Sequence, residues 1–545
     1  MIVLRKNVIL RSPLCGRLEG RTTAAPTAAG TFIRSCAGMT LLLMAAACTV
    51  GPDYQRPATA VPAAYKEAAG TEVGWQAARP ADWVDRGAWW SVFRDPVLDG
   101  LERQIDVSNQ NLKAAEAAFR EAEAIVTQAR AGFFPTAQIN ASATRSRGGG
   151  GGGTGGSGAA GGGGSGRISN FFSITGAASW IPDLWGRVRR TVEGDVASAQ
   201  ASAGAVASAR LAAQGQLAAA YLQLRVADKL RRLLDSSVKA FGESLRISQN
   251  QYNAGIVSAA DVAQARTQVE STQARALAVG VMRAQFEHAI AVLVGKPPAE
   301  LSVAPVATVP GFPDIPAGLP STLLERRPDI ATAERKMAAA NAQIGVAEAA
   351  FFPTVTLSAD AGGAAAKLAK LLTNSGRVWS FGSDLAETVF DAGARHAQVE
   401  EARALLDAAI ADYRQTVLTG FQQVEDQLAA QRILAEQAVA QDSAVAAARE
   451  AERIITNQYK AGTVAFTNVV VAQTAALSNA ETALTVRQSR LLAAVALIQA
   501  LGGGWDAAHL PDRDRIEEDA PLNFSPFPPA DATPATFWGT LPTLW

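Results

Sequence analysis

The sequence predicts a mixed fold, in which long α-helices and transmembrane β-strands alternate in two tandem repeats. Three observations predict this fold. The same short motifs recur in the same order in the two halves of the chain, and in each copy the hydrophobic period changes from helical to alternating at the same point. Hydrophobic residues make up 48% of the 545-residue chain while aromatic residues make up only 6%, so much of the apolar content is small alanine and valine. Such a composition favours long, closely packed helices over a large globular core.

The charge balance and the histidines exclude several classes of function. Fifty basic residues balance fifty acidic ones, so no global attraction to nucleic acid is expected. The three histidines, His288, His396 and His509, have no cysteine or second histidine at ligand spacing, so we expect no metal and no cofactor. The glycine run 148–166 lacks the Lys-Ser/Thr pair of a phosphate-binding loop. The sequence therefore predicts no catalytic site and indicates a protein that is not an enzyme.

The first 47 residues are predicted to be an export signal. Arg34 precedes a short apolar run that ends in three alanines before Cys48, and this pattern resembles a lipoprotein cleavage site. Cys48 is the last cysteine of the chain, so the mature protein has one thiol, which we expect to be acylated. A non-lipidated signal is the alternative. The 33 residues before Arg34 are long for a signal, so we expect the true start between Met1 and Arg34.

The chain contains an internal duplication. Residues 251–257 read QYNAGIV and residues 458–464 read QYKAGTV, 207 positions later. The word FFP occurs at 133–135 and again at 351–353, a larger offset that the glycine run in the first copy explains. The predicted domains follow in chain order: signal 1–47, lipidated N-terminal periplasmic segment 48–100, first repeat 101–300, linker 301–320, second repeat 321–505 and Pro-rich tail 506–545.

A heptad stripe predicts the first helical region of each repeat. In the first copy apolar and small residues fall at alternating steps of four and three: Leu101, Ile105, Ser108, Leu112, Ala115, Phe119, Ala122, Val126, Ala129 and Phe133. The last seven have apolar counterparts in the second copy: Ile330, Ala333, Met337, Ala340, Ile344, Ala347 and Phe351. A stripe of this kind buries one seam against a partner helix. A coincidental amphipathic helix does not explain two copies in phase.

After each FFP word the period becomes two, which predicts four β-strands. Alternate positions are apolar in three segments: Ala137 to Ala143, Phe172 to Trp180, and Val355 to Ala361. A fourth, weaker segment has Trp379, Phe381 and Leu385 on one side and Ser383 as an interruption. The pattern suits either strands of a water-filled membrane barrel or a half-buried soluble sheet. The scarcity of charge favours the barrel. After residue 60 no stretch of about 18 residues is uncharged and apolar, so no transmembrane helix is expected.

Two proline-free tracts, 188–250 and 394–457, predict very long helices. About 60 helical residues extend roughly 90 Å. The QYxAG words then predict a reversal of the chain, followed by a second helix of roughly 38 residues. Helices of this length are typical of a tube that spans the periplasm.

Together these motifs resemble those of the TolC-like family of outer-membrane efflux channels, and within that family they resemble the NodT-like lipoprotein branch. The words that carry the resemblance are CTVGPDYQRP at 48–57, both FFP turns, LWGR at 184–187, ERRPDI at 325–330, FDAGAR at 390–395 and both QYxAG turns. The resemblance covers residues 48 to about 505. It implies a homotrimer with a 12-stranded barrel in the outer-membrane lipid above a helical tunnel. It also implies two partners, a periplasmic adaptor protein and an RND-type inner-membrane pump.

The resemblance also implies site residues at the two QYxAG turns. The adaptor-docking residues would be Gly255, Ile256, Val257, Gly462, Thr463 and Val464. The periplasmic aperture would be lined by Tyr252, Asp261, Tyr459, Asn468 and Val471. Asn468 and Val471 stand where family members often carry acidic residues, and Val464 stands where some carry a gating arginine. The glycines also suit simple helix ends, and Asp261 also suits a solvated helix cap.

Two classes of function follow. In the first, the protein is the outer-membrane channel of a tripartite efflux system, an exit duct for small solutes or drugs. In the second, it is a lipid-tethered periplasmic coiled-coil scaffold whose strands form a soluble sheet. A channel for type I protein secretion is a further alternative. The uncharged, aromatic-flanked strands favour a channel over the scaffold, and the lipoprotein signal and QYxAG words favour efflux over secretion.

Overall fold

A computed structural model describes residues 49–58, 61–62, 64–67, 88–147, 168–313, 315, 324–519 and 522. The predicted signal, Cys48 and the glycine run 148–166 lie outside these residues, as does most of the Pro-rich tail. The account below concerns the described part alone.

The described chain contains long helices and a single four-stranded sheet. The helices are α1 (Pro96–Ser108), α2 (Gln110–Ala131), α3 (Arg187–Asn253), α4 (Ala259–Leu293), α5 (Pro328–Ala349), α6 (Ala394–Lys460), α7 (Phe466–Ala500) and α8 (Arg513–Asp519). The strands are β1 (Thr136–Arg147), β2 (Ile168–Trp180), β3 (Thr354–Ala365) and β4 (Arg377–Ala386). This confirms the mixed fold and all four predicted strands.

The helices of the two repeats have matching lengths. Helices α3 and α6 each contain 67 residues, which corresponds to about 100 Å. Helices α4 and α7 each contain 35 residues, and α2 and α5 each contain 22. Helix α5 begins at Pro328, the position expected from a proline at the start of a helix. The predicted tandem repeat of long helical hairpins is therefore confirmed.

The first heptad stripe does not belong to one continuous helix, contrary to the sequence prediction. The chain leaves the helical conformation at Asn109, which separates α1 from α2. The Asn109 side chain explains the break, because its Oδ1 accepts from Leu112 N at 2.9 Å and caps α2. Its Nδ2 donates to Leu293 O at 2.7 Å, which ties the break to the end of α4. The heptad spacing therefore continues from α1 into α2 although the helix is interrupted between them.

The four strands form one antiparallel sheet in the order β1-β2-β3-β4. Every strand joins a helix at the same end of the sheet, the end where Thr136 faces Ser179 and Thr354 faces Ala386. The end of β1, the start of β2 and the β3–β4 connection lie at the opposite end, called the loop end below. Strands β1 and β4 are the two edges of the sheet, and within the described chain no strand pairs with their outer sides.

The strand register places the predicted apolar positions of all four strands on one face. One row of directly paired residues, for example, runs through Ile139, Gly176, Ala361 and Trp379. The apolar residues of β4, whose sequence pattern is weak, therefore lie on the predicted face. This apolar face is uncovered, since Ile139 is 82%, Trp379 81% and Phe381 74% exposed. The opposite face is polar, with Ser142 Oγ and Ser173 Oγ 2.7 Å apart.

By length and composition, one described helix, α4, is apolar enough to cross a membrane. It contains charged residues throughout its length, so it includes no uncharged stretch of about 18 residues, in agreement with the sequence. Two of its arginines are engaged inside the chain. Arg283 Nε lies 2.8 Å from Asp228 Oδ1 of α3, and Arg275 forms an ion pair with Glu481 of α7. Helix α4 is thus held laterally by the long helices beside it.

A buried carboxyl group lies in the core where α1 packs on α3. The Glu102 side chain is fully buried, and neither carboxylate oxygen has a hydrogen-bond partner in the described chain. Burial, together with the smaller effect of the negative charges of Asp106 and Asp99, raises the pKa of Glu102 to about 9. The group is therefore protonated at neutral pH, which avoids an unpaired charge among apolar side chains.

Candidate functional site at the hairpin tips and the helix–sheet junction

The first hairpin tip is a glycine turn between α3 and α4. Gly255 has φ of 76°, in the left-handed region that favours glycine. Gly255 N donates to Tyr252 O at 2.9 Å and Ile256 N donates to Gln251 O at 2.8 Å, so the last carbonyl groups of α3 are satisfied by a Schellman motif. Nothing lies within 4 Å of a Cβ built on Gly255, and Ile256 is 70% exposed. The tip therefore presents open backbone and an exposed apolar side chain.

Asp261 closes this tip as a helix cap. Ser258 Oγ accepts from Asp261 N at 3.3 Å, and Asp261 Oδ2 accepts from Ser258 N at 3.1 Å, which is a reciprocal capping box. The cap that the sequence allowed as an alternative is thus present. The Ser-x-x-Asp spacing of 258–261 is the sequence signal for it.

The second tip has the same backbone turn and lacks the cap. Gly462 has φ of 75°, and Thr463 N donates to Gln458 O at 3.0 Å. Ala465 precedes α7 and provides no side-chain cap. The Thr463 hydroxyl donates instead to Gln458 O at 2.9 Å. The two tips therefore have the same backbone turn but differ in the hydrogen bonds that stabilise it.

The two equivalent tyrosines have different environments. Tyr252 is 44% exposed beside the first tip. Tyr459 is 4% exposed, contacts the Phe466 ring at a centroid distance of 5.3 Å and lies in a buried cluster with Val469 and Ala265. In this structure Tyr459 packs between the two hairpins.

The other predicted aperture residues lie near the beginnings of α4 and α7. Asn468 is exposed and Val471 is 64% exposed, whereas Asp261 is half-buried. Among the docking residues, Val257 is half-buried, and Val464 is half-buried against the cluster that contains Tyr459. The structure therefore groups the predicted residues at two neighbouring tips.

Polar contacts hold the two hairpins together above the tips. Gln473 Nε2 of α7 donates to Ser244 Oγ of α3 at 3.0 Å in a buried position. Gln268 Nε2 of α4 donates to Thr474 Oγ1 at 3.2 Å. The first contact is buried and the second exposed, and together they fix the relative register of the packed helices.

A second set of contacts lies where the helices meet the sheet. Both 67-residue helices follow a left-handed glycine, Gly186 with φ of 83° and Gly393 with φ of 92°. The indole of Trp180 donates to Phe133 O at 3.0 Å, and that of Trp185 donates to Pro353 O at 2.7 Å. The FFP words thus mark the junction between helix and strand in both repeats.

The N-terminal segment is bound to this junction through Arg190. The guanidinium group donates to Val50 O at 3.1 Å and to Gly51 O at 2.9 Å, and it forms an ion pair with Asp53 at 2.9 Å. Arg190 is only 3% exposed, so its guanidinium group is shielded from water, whereas the Asp53 side chain is 90% exposed. A Cβ on Gly186 would lie 2.7 Å from Thr49 Cγ2, which shows how closely the segment approaches the start of α3.

Sequence reasoning did not identify the Arg190 network, Glu102 or the Ser248 partner of Tyr459. Their environments depend on contacts between parts of the chain that are far apart in sequence. No spacing of neighbouring residues predicts such contacts. Among the described residues no group of three or more His, Cys, Asp or Glu side chains is placed to hold a metal ion.

The sheet with one uncovered apolar face, continued at one end by paired long helices, defines the class of outer-membrane channels. The comparisons with known proteins agree. The family model described as outer membrane efflux protein matches residues 101–296 and 319–503. The chain belongs to the outer membrane efflux protein family.

Individual relatives are similar over nearly their whole length. The probable efflux pump outer membrane protein TtgC of Pseudomonas putida is 31% identical over 84% of this chain and 93% of its own. The solvent efflux pump outer membrane protein SrpC of Pseudomonas putida is 30% identical over 86% of this chain and 98% of its own. Among solved structures, the outer-membrane channel OprN is 30% identical, with a TM-score of 0.75 over 84% of this chain and 100% of that one. The protein is thus an outer-membrane efflux channel component, and the scaffold hypothesis is not supported.

Proposed function

We propose that three copies of this chain assemble into an exit duct for small solutes across the outer membrane and the periplasm. Each copy contributes its four strands to a 12-stranded barrel, and the long helices of the three copies continue below it as a tunnel. The duct conducts without catalytic chemistry.

One observation carries this proposal: the four-stranded sheet has a continuous, uncovered apolar face and two unpaired edges. An unpaired edge cannot be left in lipid, because its backbone groups have no water to bond to. Pairing β1 of one copy with β4 of the next removes both edges. The apolar face then meets lipid, and the polar face, with Asp360 and Asp384, lines the water-filled lumen.

The lipoprotein-type sequence before Cys48 supports a lipid anchor on this cysteine. Thr49, the first described residue, lies against Gly186, immediately before the long helix α3. An acyl chain on Cys48 anchors the protein to the inner leaflet without crossing it.

The hairpin tips suit docking of a periplasmic adaptor that connects the duct to an RND-type inner-membrane pump. Gly255 and Gly462 offer left-handed turns with no side chain in the way, so a partner helix can approach the backbone. Exposed Ile256 supplies apolar contact area beside the first turn. The docking surface consists of Gly255, Ile256, Val257, Gly462, Thr463 and Val464.

The periplasmic aperture lies beside these tips and is lined by Tyr252, Asp261, Asn468 and Val471. Threefold repetition of Asp261 gives one acidic ring, while Asn468 and Val471 give neutral rings. Cation preference is then weaker than it would be with two acidic rings. The buried position of Tyr459 supports a role in fixing the tip rather than in lining it.

Light scattering of detergent-extracted protein from separated inner and outer membranes tests the proposal. We expect a species with three times the mature chain mass in the outer-membrane fraction. The Cys48→Ser variant should remain membrane-embedded, because the barrel holds it independently of the lipid. A monomer, or release of Cys48→Ser from membranes, would show that the strands do not form a barrel.

A further inference from the structure

The charged residues of the sheet are sorted by face. The strands carry five charged side chains, namely Arg145, Arg147, Asp360, Arg377 and Asp384. The register places all three arginines on the apolar face, because Arg145 pairs with Asn170, Arg147 with Ile168 and Arg377 with Gly363. It places both aspartates on the polar face, opposite Ser380 and Thr356. The outward face of the sheet thus carries positive charge and no acidic residue.

The three arginines occupy the loop end of the two edge strands. Arg145 and Arg147 lie at the end of β1, and Arg377 is the first residue of β4. All three side chains are exposed, and none forms an ion pair within the described residues. Trp379 follows on the same face of β4, so an aromatic side chain lies between Arg377 and the middle of the strand. Lys367 and Lys370, both exposed, lie in the adjacent β3–β4 connection.

Assembly would bring these arginines together. Within one chain β1 and β4 are three strand spacings apart, which is about 14 Å. In the proposed trimer, β1 of one copy pairs with β4 of the next at about 5 Å. Each of the three seams then gathers Arg145 and Arg147 from one copy with Arg377 from its neighbour. The cluster is incomplete in a single chain.

We propose that this seam cluster binds the phosphate groups of anionic lipid in the outer leaflet of the membrane. The inference rests on the proposed trimeric barrel. A guanidinium group binds a phosphate through two parallel hydrogen bonds, and three such groups match a headgroup with more than one phosphate. The long arginine side chains cross the apolar zone along the sheet, and their charged ends reach the headgroup level. A lipid bound at this seam bridges two subunits and stabilises the trimer.

Native mass spectrometry of the purified, full-length trimer tests the proposal, with bisphosphorylated lipid A as the probe and dephosphorylated lipid A as its matched control. We expect the wild-type trimer to retain lipid A and to bind the dephosphorylated form at least about tenfold more weakly. Combined Arg145→Gln, Arg147→Gln and Arg377→Gln substitutions should abolish the preference. Inorganic phosphate should not displace the lipid, because the seam also requires the acyl chains.

A charge-matched variant separates this site from a general charge effect. Arg232, Arg414 and Arg449 are exposed on the long helices, and their combined replacement by glutamine removes the same charge away from the sheet. This control should bind lipid A like the wild type. If the sheet variant does not assemble, the corresponding Arg→Lys variant, which keeps the charge and loses the paired hydrogen bonds, should bind with intermediate affinity.

Two results would overturn the seam site: equal binding of both forms of lipid A by the wild-type trimer, or equal losses in the sheet and helix variants. Failure of the proposed function is distinguished beforehand, since the wild-type mass without lipid would then not be that of a trimer.

Discussion

The hydroxyl oxygens of Ser248 and Tyr459 lie 3.0 Å apart in a buried contact between the end of α3 and the end of α6. Ser248 is fully buried and Tyr459 nearly so. The contact joins the two hairpins immediately above their tips. Because the tips are the proposed docking surface, the spacing between them depends on this pair.

Tyr459→Phe should loosen the tips. It removes one buried hydrogen bond and leaves the Ser248 hydroxyl without this partner, at an expected cost of about 1 kcal/mol. Amide hydrogen exchange over residues 453–468 measures the effect, and we expect faster exchange than in the wild type. Tyr252→Phe is the matched control, because that ring is 44% exposed and its exchange should be unchanged. Equal protection in all three proteins would contradict a role for the pair.

Gly255→Ala and Gly462→Ala should each destabilise the protein by about 1 kcal/mol, because alanine must adopt the left-handed conformation there. No atom lies within 4 Å of the added Cβ, so the cost is conformational and does not come from a clash. Denaturant titration measures it. Gly242→Ala, in the interior of α3 and equally uncrowded, should instead stabilise the protein by about 1 kcal/mol.

The same variants test docking when co-purification of the adaptor is measured. Docking that is unaffected by both tip variants would place the adaptor elsewhere.

Phe381→Arg and Ser380→Arg should have opposite consequences, although the residues are adjacent. Phe381 belongs to the apolar face and Ser380 to the polar face, where its hydroxyl donates to Asp360 at 3.1 Å. An arginine on the lipid face near the middle of a strand costs about 2 to 4 kcal/mol, whereas the lumen tolerates it. The yield of trimer in the outer-membrane fraction measures the difference. Equal yields would mean that the two faces do not separate lipid from water.

Glu102→Gln should change the pH dependence of stability. The pKa of Glu102 rises from 4.5 in the unfolded chain to about 9 in the folded one, so between these values the folded chain binds the extra proton. Wild-type stability therefore falls as pH rises from about 4.5 to about 9. The variant lacks this loss and should be more stable at pH 7 by an amount on the order of 3 kcal/mol, with little difference at pH 4.

Thermal unfolding of detergent-solubilised protein at pH 4, 7 and 9 measures this effect. Glu121→Gln, on an exposed position of α2, is the matched control and should follow the wild type at each pH. A constant difference between wild type and Glu102→Gln across these pH values would argue against a protonated buried carboxyl group. Trimer contacts do not complicate the comparison, because Glu102 is already fully buried within one chain.

Much of the fold was predictable because it repeats. The offset between the QYxAG words places the ends of α3 and α6 at equivalent positions, and period-two alternation gives the face of each strand. Even β4, whose pattern Ser383 interrupts, takes the predicted face because its partner strand sets the register. Periodicity and repetition are local properties, so the sequence displays them directly.

The environments of single residues were harder to predict. Tyr252 and Tyr459 occupy equivalent words, yet only Tyr459 is buried, because Phe466 and Ser248 surround it. The break at Asn109 was missed for a related reason. The heptad spacing continues through it, while the end of α4 supplies the carbonyl group that holds the bend. Such differences arise from contacts between distant elements.

The equal lengths of the paired helices, 67 and 67 residues and 35 and 35, restrict how the reach of this protein can change. Removing two turns from one hairpin alone would shift its tip by about 10 Å, so that Tyr459 and Ser248 no longer meet. Removing the same turns from both hairpins keeps the tips level and the buried contacts in register. Natural or engineered adjustment to a wider or narrower periplasm therefore requires paired insertions or deletions, whereas the length of the β3–β4 connection can change alone, because it lies at the opposite end of the sheet from the helices.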